Sequence, residues 1–90
     1  MEPMVIISYS LAGRRNALEL TRKIYGYNEF SNNSKYKYKR EGILSNVKYE
    51  KLSRGTILIS KADEKKVISG FVKLKLKIKV LTINILGRNN

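Results

Sequence analysis

The spacing of apolar residues changes along this chain, and each spacing predicts a different element. Val5-Ile6-Ile7 is an unbroken β-branched run preceded by Pro3, which predicts a buried strand reaching from Met4 to Tyr9. Ser10-Leu11-Ala12-Gly13 turns the chain. Ala17, Leu20, Thr21 and Ile24 then recur at helical spacing, so a helix is predicted from just after Gly13 to Tyr25, with that stripe facing a core. Arg15, Glu19 and Lys23 fall four apart on the opposite side, and Gly26 suits the left-handed residue that closes a helix.

Beyond the helix the rhythm shortens. Tyr27 to Ser34 is rich in Asn and Ser and reads as a loop. Lys35 to Arg40 alternates Lys with Tyr at period two, a half-exposed strand that Gly42 ends. Val47 to Leu52 is a further short strand, Arg54-Gly55 a tight turn, and Thr56 to Ile59 a second fully apolar strand. Ser60-Lys61-Ala62-Asp63 has capping-box spacing before a helix whose buried stripe is Val67, Ile68, Phe71 and Val72, weakened by Gly70. Leu74, Leu76, Ile78 and Val80 alternate with lysines in a last strand. There the phase slips at Val80-Leu81, which predicts a bulge or a passage into buried sheet, and residues 86–90 form a frayed tail.

The order β-α-β-β-β-α-β predicts one α+β domain over residues 1–90, with two helices on one face of a mixed, mostly antiparallel sheet. Ninety residues leave room for one core.

Charge then narrows the function. Nineteen Lys and Arg stand against seven Asp and Glu, a formal charge of +12, and no acid follows Glu64. Such an excess makes a compact domain repel itself and points to an anionic partner, nucleic acid first and an acidic protein face second. Catalysis is hard to build. Without His or Cys there is neither imidazole base nor thiolate, and the carboxylates do not cluster. Asp63 and Glu64 are adjacent, but both suit the first turn of a helix. The expectation is therefore a non-enzyme with no catalytic residue, metal, cofactor or small-molecule substrate. No apolar run is long enough to span a membrane and the N-terminus lacks signal-peptide features, so an intracellular, cytoplasmic and nucleoid-associated protein is expected.

Three segments are candidate nucleic-acid contacts. Ser10, Arg14 and Arg15 lie where a strand turns into a helix, so free backbone N–H groups there would make a phosphate-binding corner. The alternative is that Ser10 only caps the helix. Two cations in the first turn also oppose the helix dipole, which an anionic partner would explain. Lys35, Lys37, Lys39 and Arg40 would track a backbone while Tyr36 and Tyr38 stack bases, unless those tyrosines pack beneath a helix. Lys73, Lys75, Lys77 and Lys79 would form one row on a strand face, for phosphate contact or for edge protection.

The run from Ile7 to Asn16, the segment Lys35 to Gly42, and Arg54-Gly55-Thr56-Ile57 followed by a capped helix together resemble the small basic accessory subunits of crenarchaeal replicative family-B DNA polymerases. The resemblance covers nearly the whole chain. It implies an archaeal DNA-replication protein that binds a polymerase and DNA, stabilises that polymerase on DNA or modulates strand displacement, and has no active site. The opening strand with Ser and paired Arg also echoes Brix-domain ribosome-biogenesis proteins, and the charge fits an RNA-binding or ribosome-associated protein equally well.

Overall fold

A computed structural model describes residues 2–31 and 36–85. The elements run β1 (Glu2–Tyr9), α1 (Ala17–Tyr25), β2 (Tyr27–Ser31), β3 (Tyr36–Arg40), β4 (Tyr49–Ser53), β5 (Thr56–Ser60), a 3-10 turn (Lys61–Asp63), α2 (Glu64–Lys73) and β6 (Ile78–Ile85). The class is α+β. Four strands form one sheet in the order β4-β5-β1-β6, and β2 and β3 form a separate hairpin. Every pair among these strands is antiparallel.

The apolar runs occupy the middle of the sheet. Val5 lies beside Ile59 and Ile7 beside Ile57, so alternate residues of β1 and β5 present one continuous apolar face. Leu20 and Ile24 of α1 and Val67 and Phe71 of α2 close over it, with Leu44, Val47 and Leu76 filling the sides. Each such side chain contributes about 1.5–3 kcal/mol on burial. Thr21 turns its hydroxyl back onto the Ala17 carbonyl at 2.9 Å, and Glu19 pairs with Lys23 at 3.2 Å on the solvent side of α1.

Several expectations are corrected. Tyr27 to Ser34 does not read as one loop, because its first residues pair with β3 from Tyr27↔Arg40 to Ser31↔Tyr36. Their mixture of Asn, Glu and aromatics hides the strand, which is stabilised by its partner rather than by a core. The fourth strand starts at Tyr49 rather than Val47, since Leu44 and Val47 sit buried in the preceding turns. Val72 is exposed, on the outer side of α2. The β1–β6 register runs unbroken from Glu2↔Ile85 to Tyr9↔Ile78, so no bulge lies at Val80-Leu81. The irregularity falls in β4, between Lys51 and Ser53. The frayed tail and Lys35 lie outside the described residues.

Gly42 is fixed by packing. A Cβ there would overlap the Gly26 backbone nitrogen and stand 2.7 Å from the Ile24 carbonyl, where the chain recrosses the end of α1.

Candidate nucleic-acid interface

The segment after β1 is not the first turn of a helix. Leu11 to Arg14 closes a β-turn, with the Arg14 N–H donating to the Leu11 carbonyl at 3.1 Å and Gly13 at φ 75 in the position that demands it. Helix α1 starts only at Ala17, after Asn16, and its first turn carries Glu19. Arg14 and Arg15 therefore precede the helix, and the argument from cations opposing its dipole falls. Ser10 does not cap α1 either. Its Oγ accepts from the Ala12 N–H at 3.2 Å, holding the loop.

The lysine row breaks up as well. Leu74, Lys75 and Leu76 form the end of α2, not a strand. The Leu76 N–H reaches the Phe71 carbonyl at 3.3 Å and the Lys75 N–H reaches the Val72 carbonyl at 2.9 Å, the paired bonds of a Schellman C-cap. Leu76 and Phe71 are both buried in the core, completing its apolar clasp. The left-handed residue of such a cap is usually Gly, yet here it is Lys75, at φ 58. Alternate Leu and Lys residues imitate a strand only because the cap lacks its glycine. Lys73 ends α2, Lys77 lies in the connection, and Lys79 alone sits on β6.

These segments nevertheless meet. Ser8 lies beside Lys79 and Tyr9 beside Ile78. The Arg14 guanidinium donates to the Lys75 carbonyl at 3.4 Å, and the Tyr9 N–H donates to Gly55 in the β4–β5 turn at 2.8 Å. One end of the sheet thus gathers Ser10, Arg14, Lys75, Lys77 and Lys79. Sequence reasoning missed two further cations there, Lys51 and Arg54, which only the antiparallel return of β4 brings alongside. A shallow depression is lined by Ser8, Tyr9, Ser10, Lys77, Ile78 and Lys79. Beside it an open cleft of about 730 Å³ is lined by Tyr9, Ser10, Thr21, Tyr25, Lys51 and Arg54 among others. Among the described residues no acid lines either one.

Tyrosines form the floor of the cleft. The hydroxyls of Tyr9 and Tyr25 are 2.5 Å apart, joining β1 to α1. Tyr9 also stacks on Phe71, with ring centroids 5.1 Å apart, and the Lys51 ammonium stands 5.4 Å from the centre of the Tyr25 ring. Burial, reinforced by the hydrogen bond shared with Tyr25, holds the Tyr9 phenol well above its ordinary value. At neutral pH it stays protonated, so the floor is neutral and the charge of the rim is purely cationic.

The hairpin is the second basic surface. All described residues of β3 are exposed, and Tyr36 and Tyr38 keep 48% and 49% of their surface in solvent. Neither packs beneath a helix. Lys37 and Lys39 share the opposite face, with Phe30 beside Lys37. Arg40 is committed elsewhere: its Nε donates to Glu29 at 2.6 Å, which raises its own pKa further. A groove along the outer side of α1, lined by Arg15, Glu19, Arg22, Lys23 and Tyr27, leads from the first loop to this hairpin, with Lys23 paired to Glu19.

No family model, curated protein or solved structure matches the chain. The resemblance to polymerase accessory subunits therefore rests on its residues alone. Among the described residues no helix is long and apolar enough to cross a membrane, and no group of acidic, His or Cys residues could hold a metal.

Proposed function

We propose that this chain is a non-catalytic subunit that grips the phosphate backbone of DNA with the cationic rim at the end of its sheet. The observation that carries the reading is Lys75. A lysine occupies the left-handed cap position, where glycine would be unstrained; its backbone carbonyl accepts from Arg14, and Lys77 and Lys79 line the neighbouring depression, whose described lining carries no acid. Backbone strain of this kind clusters at functional sites. Phosphate contacts of this kind position a protein without reading sequence, which suits an accessory role on DNA bound by a larger enzyme. The resemblance supports a family-B DNA polymerase as that enzyme, within an intracellular, nucleoid-associated assembly.

A second reading, an RNA-binding or ribosome-associated protein, is favoured by Tyr36 and Tyr38, which are half-exposed where unpaired bases could stack, with the Arg40 guanidinium already over the Tyr38 ring at 5.9 Å. Fluorescence anisotropy with duplex DNA, single-stranded DNA and RNA of random sequence, across a salt series, tests both. Duplex affinity that falls steeply with salt is expected. Affinity flat in salt would remove the phosphate reading, and tight binding to RNA alone would install the second.

A further inference from the structure

We propose that β6 is a self-association edge, where a second copy of this chain pairs antiparallel to it and extends the sheet across a two-fold axis. The sheet has two edge strands, and they are guarded very differently. On β4 the strand is short, carries Glu50 and Lys51, and is irregular between Lys51 and Ser53. Charge, brevity and irregularity are the usual defences of an exposed edge. By contrast β6 is eight residues long, keeps perfect register with β1, and from Val80 to Ile85 has no charge, Pro or Gly. A flat, β-branched edge of this kind is a template for another strand. Its side chains are open too, with Val80 41% and Leu81 59% exposed.

The partner that fits is the same segment reversed. A two-fold centred on Thr82 sets Thr82 against Thr82, Leu81 against Ile83 and Val80 against Asn84, with the two positions of each pair on the same face and no like charges opposed. The two Lys79 residues then lie about 20 Å apart along the strands, further than the screening length of ~8 Å at physiological salt. Pairing also joins the outer faces of the two sheets, where Met4, Ile6 and Ile83 are half-buried and Leu81 is exposed. Each copy carries +12, so repulsion opposes the dimer and added salt strengthens it, the reverse of its effect on phosphate binding. The inference is independent of the nucleic-acid reading.

A single strand pair is smaller than a standard interface, so a weak dimer is expected, with a Kd on the order of 10–100 μM. Sedimentation velocity at high salt, over a wide concentration range around that value, should show the mass rising from one copy to two. Thr82 is exposed, so Thr82→Lys and Thr82→Glu should each fold yet remain monomeric, while their equimolar mixture dimerises through the restored opposite-charge pair. The chain has no cysteine, so Thr82→Cys gives a second measurement. Mild oxidation should link it to itself, because paired Cα atoms about 4.5–5.5 Å apart suit a disulfide. Ser53→Cys on the guarded edge should stay unlinked. A wild-type chain that stays monomeric throughout would overturn the proposal and leave β6 to a strand of another protein. A dimer that survives Thr82→Lys, or that Thr82→Cys does not link, would place the contact elsewhere.

Discussion

The guanidinium of Arg14 donates to the backbone carbonyl of Lys75, 61 positions further along the chain. The bond is long at 3.4 Å and exposed, so its own contribution to stability is small. Its consequence is spatial. It places the loop that follows β1 against the cap of α2, and so assembles one cationic rim from two segments remote in sequence.

At the centre of that rim Lys75→Gly separates fold from function. Glycine adopts φ near +58 without the Cβ penalty, so the variant should gain roughly 1 kcal/mol, a rise of several degrees in Tm. DNA affinity should fall at the same time. Thermal unfolding and anisotropy on one preparation check it. A loss of stability with intact binding would show that the lysine serves the helix end, through its dipole.

Lys77 and Lys79 can be neutralised without touching the core, since both are exposed. Lys77→Gln with Lys79→Gln should change stability by less than about 0.5 kcal/mol per site. It should also weaken binding and make the salt dependence shallower, by about 0.9 in log–log slope for each lost phosphate contact. An unchanged slope would remove these two residues from the interface.

Much of this arrangement is visible in the chain, and the gaps have physical causes. Val5 to Ile7, Thr56 to Ile59 and the α1 stripe announce themselves because a buried face must be apolar at a fixed period. The α2 cap does not, because Leu74, Lys75 and Leu76 alternate as a strand would and the position that normally signals the cap lacks its glycine. Strand β2 is hidden for another reason. None of its side chains from Tyr27 to Phe30 is buried completely, so no hydrophobic period marks it, and only its pairing with β3 defines it. At the candidate site, Arg14 and the lysines can be picked out from charge, and Ser10 from its place in the turn after the first strand. Lys51 and Arg54 cannot, since their nearness to Ser10 is set by which strands pair, and pairing is non-local.

Tyr36 and Tyr38 stand on an exposed hairpin, so replacing both by Ala should leave the Tm nearly unchanged. If they stack bases, single-strand affinity should drop by about 1–3 kcal/mol for each base no longer stacked, with duplex affinity little altered. Equal losses on duplex and single strand would assign them to backbone contact instead.

Gly42→Ala addresses packing alone. The added methyl would overlap backbone of Gly26 and Ile24 rather than a flexible side-chain end, so either α1 or the segment after β3 must shift. A destabilisation of about 2 kcal/mol or more is expected, among the larger effects of single substitutions. Chemical denaturation measures it, and a loss under ~0.5 kcal/mol would mean that the two segments do not cross so closely.

The hydroxyl pair beneath the cleft should give the protein an alkaline limit. Burial and the hydrogen bond shared with Tyr25 raise the Tyr9 pKa above that of the unfolded chain. A folded-state pKa that is raised means the native state holds its proton more tightly. The resulting stability is complete below the unfolded value of ~10 and is lost as pH climbs from there toward the folded value. Tyr9→Phe removes this ionisation and should behave oppositely on the two sides of that window. Near neutral pH it should cost on the order of 1 kcal/mol, because Tyr25 loses its partner while the ring stays stacked on Phe71. Above pH ~10 the difference from wild type should shrink as the wild-type phenol begins to ionise on unfolding. Lysines deprotonate in the same range, but they do so in both proteins, so the comparison isolates Tyr9. Denaturant unfolding of the two proteins at several pH values checks it, and a stability difference constant across the alkaline range would rule out the raised phenol.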